Sequence, residues 1–74
     1  MKKTIYVLTA VGVAIDTLVE VFPYYEDAMY FMCKHMEKYG ILFSDCEKMC
    51  ENCWKGESMI CEIEWQIHRK EITV

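Results

Sequence analysis

SDCEKMCENCWKG, Ser44 to Gly56, is the stretch whose conformation sets how many helices the chain contains. Ser44, with Glu47 three residues on, has the form of a capping box, in which the two residues satisfy each other's backbone N–H groups at the start of a helix. At 100° per residue, Cys46, Met49, Cys50, Cys53 and Trp54 fall within an arc of about 140°, and the polar residues from Asp45 to Lys55 fall outside it. The pattern predicts a short helix near Asp45 to Lys55, ended by Gly56.

Upstream, PYYEDAMYFMCKHMEKYG, Pro23 to Gly40, predicts a longer helix by the same rule. Tyr24, Tyr25, Ala28, Met29, Met32, Met36 and Tyr39 share one side, while Glu26, Asp27, Lys34, Glu37 and Lys38 share the other. Pro23 suits the first helical position, Glu26 and Asp27 favour the positive end of the dipole, and Gly40 can close the helix in the left-handed conformation.

The flanks read as strands. From Lys3 to Phe22 the chain is rich in β-branched and aromatic residues, predicting a hairpin with strands at Lys3 to Ala10 and Ala14 to Phe22 and a reversal at Val11 to Val13, with one long bent strand or a turn displaced to Asp16 as the alternatives. The same opening, with Lys2, Lys3, the apolar run Ile5 to Val13 and a small residue at Ala14, also has the outline of a secretion signal; Tyr6, Thr9 and the β-branched content favour a strand. Downstream of the second helix, Met59, Cys61, Ile63, Trp65 and Ile67 alternate with Glu62, Glu64, Gln66 and His68, the cleanest strand signature in the chain. Arg69 and Lys70 break that run, and Glu71 to Val74 either continue it or add a fourth strand.

The expected fold is therefore α+β in the order β-β-α-α-β: one domain, residues 1–74, with an antiparallel sheet of three or four strands and both helices packed on one face. The last strand should lie beside the first, because those two extended runs are the longest. Apolar groups occur on both faces of the first hairpin, so the face away from the helices is expected to carry some of Tyr6, Leu8, Leu18 and Phe22 as an interface.

Composition narrows the functional classes. A chain of 74 residues with 54% hydrophobic content has little interior in which to hide it, which favours self-association. Twelve acidic against eight basic residues give a net charge of −4, and no Lys/Arg cluster interleaves with aromatics, which argues against nucleic acid or an anionic membrane as partner. No run reaches the 18 or more apolar residues of a membrane span. Five cysteines, an odd number, fit reduced thiols in a cytoplasm better than a secreted disulfide framework.

Chemistry-bearing groups each have a plainer structural reading. Cys46, Cys50, Cys53 and Cys61 have zinc-like spacing, but on a continuous helix Cys46 and Cys53 differ in height by roughly 10 Å, too far for one ion, so core packing is expected. Cys50 and Cys53 form a CxxC without the strand-to-helix placement that activates a redox thiol. Met29, Met32, Cys33, His35 and Met36 could suggest copper, yet a methionine stripe at helical spacing is core filler, and His35 reads as a boundary histidine with its hydrogen bonds satisfied. Glu62 and Glu64, with Glu20 opposite, read as a solvated strand face rather than catalytic carboxylates. The resulting expectation is a non-enzymatic interaction or assembly module without cofactor, a homodimer or the partner of another protein. The alternatives are a zinc-stabilised domain on the four cysteines and an acidic phage-type inhibitor or nucleic-acid mimic.

Overall fold

The computed structural model describes Met1–Val74. Its elements are β1 (Lys2–Val13), β2 (Leu18–Phe22), α1 (Tyr25–Lys38), a 3-10 turn (Phe43–Asp45), β3 (Glu47–Cys50), β4 (Cys53–Glu57) and β5 (Glu62–Thr73). The five strands form one antiparallel sheet in the order β2-β1-β5-β4-β3, with α1 laid across one face. No helix is long and apolar enough to cross a membrane.

This corrects the two-helix expectation. The sheet has five strands rather than three or four, and Asp45 to Lys55 is a hairpin, not a helix. Two local facts account for the difference. Asn52 adopts φ 61°, the left-handed region that asparagine tolerates, and so reverses the chain between Cys50 and Cys53. Gly56 lies under Ile41, Cys46 and Trp65, where a Cβ would come within 2.8 Å of the Ile41 Cγ2, so the residue read as a helix stop lets β4 approach the core. Ser44 falls in the 3-10 turn instead of capping a helix. The hairpin also pairs β5 from Glu62 to Gln66, which would otherwise present a bare strand edge.

β5 lies beside β1 in unbroken register from Lys2↔Thr73 to Val13↔Glu62, as the lengths of the two runs predict. Arg69 and Lys70 do not interrupt it. The first reversal falls later than Val11 to Val13: β1 continues to Val13, and the turn uses Ala14 at φ 67°. Helix α1 starts at Tyr25 with Tyr24 as cap, so Pro23 precedes the helix instead of opening it. Its end is a Schellman motif, with Gly40 at φ 72°, Gly40 N–H donating to Glu37 and Ile41 N–H to Met36.

The core lies between α1 and the sheet. Ala28, Met32 and Met36 from the helix meet Leu8 and Ala10 of β1, Trp54 of β4, and Ile63, Trp65 and Ile67 of β5. His35 accepts a hydrogen bond at Nδ1 from the Trp65 indole N–H at 3.0 Å, which satisfies the only polar atom of the largest buried side chain. At the other end of α1 the Tyr25 hydroxyl donates to the Asn52 side-chain oxygen at 2.7 Å, tying the helix start to the β3–β4 turn.

Candidate interaction surface: the open face of the sheet

Register alone assigns side chains to faces, because residues directly opposite on paired strands point the same way. The row Leu8↔Ile67, Ala10↔Trp65, Trp54↔Trp65 faces α1. The alternate rows face away from it: Ile5, Val7, Thr9, Val11 and Val13 on β1, Val19 and Val21 on β2, and Glu62, Glu64, Gln66, His68 and Lys70 on β5. No element of the chain packs over these rows.

This face is divided lengthwise. Along β1 and β2 it is aliphatic, with Val11, Val13, Val19 and Val21 exposed by 55%, 75%, 60% and 57% and Ile5 and Val7 half-buried. Along β5 and β4 it is polar: Lys55 pairs with Glu62 at 2.6 Å, and the Gln66 side-chain amide donates to Glu64 at 2.8 Å. Two shallow depressions cross the boundary, one between Val11, Val13 and Glu62, the other between Thr9, Val19 and Gln66. The face also has two electrically distinct ends. Lys3 and Lys70 stand at one end; at the other, Glu57, Glu62 and Glu64 outnumber the single Lys55, which pairs with Glu62.

The residues expected on this face lie on the opposite one. Leu8 is fully buried under α1; Tyr6 meets Tyr25 edge-on with ring centroids 5.7 Å apart, Phe22 packs against Phe31 at 5.4 Å, and Leu18 borders the same core. Glu20 shares their row. It sits between Leu18 and Phe22 and opposite Leu8, on the helix side, but stays exposed at the sheet edge. The usable signal was side-chain size: Tyr6, Leu8, Leu18 and Phe22 are large enough to fill a helix-to-sheet interior, and the valines form the other set.

The four cysteines of the zinc-like spacing are not gathered. Cys46 donates to the Leu42 carbonyl and lies 3.9 Å from the Met36 sulfur, Cys61 contacts the Ser58 hydroxyl at 3.2 Å, and Cys50 faces Cys53 across the hairpin. No three His, Cys, Asp or Glu side chains meet in a metal-holding group. Burial, reinforced by Cys50 and Glu64, pushes the Cys53 thiol up to about 11, and burial also raises Cys33 and Cys46, the reverse of what an activated thiolate needs. In the methionine-rich stripe, Met32 and Met36 are fully buried and His35 Nδ1 is occupied by Trp65. Glu62 and Glu64 do share the open face, whereas Glu20 is on the other side of the sheet.

His35 gives a pH-dependent consequence. Burial, with Lys38 nearby, holds the imidazole below its ordinary value of 6.5, and protonation would remove the acceptor that Trp65 uses. The unfolded chain therefore binds the proton first as pH falls. Stability is full above pH 6.5 and declines as pH drops through that value toward the lower folded one. Urea midpoints at pH 7.5 and 5.5 should show this fall. His35→Gln should flatten the profile, and His35→Ala should cost about 1 kcal/mol at pH 7.5.

No protein-family model, curated protein or solved structure matches this chain.

Proposed function

We propose that this chain is a non-enzymatic assembly module that works by protein–protein contact through the open face of its sheet. The observation that carries this reading is the aliphatic strip of Val11, Val13, Val19 and Val21, exposed on a face that nothing in the chain covers. Antiparallel sheets with one solvated face ordinarily alternate apolar-in and polar-out, and this strip breaks the alternation on the outer side. The protein measures 46 by 22 Å in its two longest directions, so the open face is at most about 1,000 Å². A stable interface needs roughly 800 Å² per partner, so only a partner covering most of this face would hold. A second copy brings a face of the required size. Five unpaired thiols fit a reducing, cytoplasmic setting.

Light scattering coupled to size exclusion at micromolar concentration tests the reading. The expected result is a dimer near twice 8.8 kDa, and a monomer at all concentrations overturns it. Val19→Lys with Val21→Lys, on an edge strand outside the core, should weaken self-association by about a hundredfold while leaving the circular dichroism spectrum unchanged.

A further inference from the structure

Resting on that reading, we infer that the second copy docks face to face, about a two-fold axis that lies in the plane of the interface and runs across the strands. Two independent patterns on the open face select this axis. An axis along the strands would keep the Lys3/Lys70 end over its own counterpart and set the valine strip of one copy on the polar β5–β4 half of the other. An axis across the strands reverses the ends and keeps the sides. The lysine end then lies over the carboxylate end, and the aliphatic strip over its own counterpart.

The register fixes where the axis passes. Lys3 and Lys70 lie as far from the row Leu8↔Ile67 on one side as Val13 and Glu64 do on the other. With the axis over that row, Lys70 stands opposite the second copy's Glu64, and Ile5 opposite its Val11. Val7 then meets Thr9, and Val19 meets Val21, since Glu20, the residue between them, pairs with Leu8. Lys3 falls over Val13, whose register partner is Glu62. Ile5, Val7, Val11, Val19 and Val21 thus each meet a β-branched position, while Val13 lies under the Lys3 stem, and each contact occurs twice, as an isologous interface requires. Twisted sheets stacked this way sit about 10 Å apart and within about 30° of aligned, a gap that the valines fill and that Lys and Glu side chains can span.

The charge contacts lie near the ends of the face, where they set orientation and partner choice more than total affinity. Reversing one end alone places like charges together in both symmetry-related contacts. Lys3→Glu with Lys70→Glu forms one variant, and Glu62→Lys with Glu64→Lys forms the other. Each alone should self-associate at least about tenfold more weakly than the wild type at low salt. Mixed in equal amounts they should form a heterodimer within about threefold of wild-type affinity, because both end contacts are then opposite in charge again.

Sedimentation velocity on each variant and on the mixture reads the result, with circular dichroism confirming that each is folded. A wild-type dimer whose variants dimerise undiminished, or whose mixture is no tighter than either variant alone, overturns this arrangement and leaves self-association standing. A wild-type chain that stays monomeric overturns both.

Discussion

Trp65→Ala is expected to cost about 3–5 kcal/mol, read as a shift of the urea midpoint at pH 7.5. A chain of 74 residues holds on the order of 4–11 kcal/mol in total, so the loss leaves a marginal fold or none. The size follows from position. Trp65 is fully buried on β5, the central strand of the sheet, level with Ala10 on one neighbouring strand and Trp54 on the other, and under His35 of α1. Little around it can collapse into the space, because Ala10 has no side chain to extend and β1 and β4 are fixed by their ladders. Trp65→Phe separates packing from the hydrogen bond: it keeps an aromatic ring, strips His35 of its donor, and should cost about 1–3 kcal/mol while weakening the fall in stability between pH 7.5 and 5.5. The same strand carries Glu64 and Gln66 outward, so the open face cannot outlast this core residue.

The elements that could be read without a structure are those whose pattern is long and whose ends are marked. Helix α1 has fourteen residues, a two-sided charge pattern and Gly40 at its stop; β5 has strict alternation over Glu62 to Ile67. Both give the right element with ends displaced by a few residues. The hairpin of β3 and β4 has neither advantage. Its strands are four and five residues long, its turn carries Asn52 without a following glycine, and its inward residues are only Trp54 and Gly56. Five apolar residues in so short a run satisfy a helical arc as well as they satisfy two short strands. Tertiary demand decided the matter, through the hydrogen-bonding edge of β5 and the gap beneath Ile41. The candidate surface failed to appear for a related reason. Alternation shows that a strand has two faces and leaves open which one a helix will cover, and a one-residue difference in that choice exchanges Tyr6, Leu8, Leu18 and Phe22 for the valine rows.

Gly56→Val separates the two readings of this stretch by experiment. At the end of a helix the substitution would force a β-branched residue into the left-handed region, a conformational cost that no change at Cys46 could relieve, and in an ordinary strand a β-branched residue would be favoured over glycine. Here the backbone at Gly56 is not in the left-handed region, so conformation imposes no penalty and space alone sets the outcome. A Cβ would lie 2.8 Å from Ile41 Cγ2, 2.9 Å from Cys46 Sγ and 3.1 Å from Trp65 Cζ3, all inside ordinary contact distance, and valine adds two further methyl groups to that Cβ. The expected cost is about 1–3 kcal/mol of overpacking, measured by urea denaturation. Part of the strain should be relieved by Cys46→Ala, which removes one of the three obstructing atoms, so the double variant should be more stable than additivity predicts by at least about 0.5 kcal/mol. Neutral behaviour of Gly56→Val, or strict additivity with Cys46→Ala, would show that β4 does not press Gly56 into the core between Ile41 and Trp65.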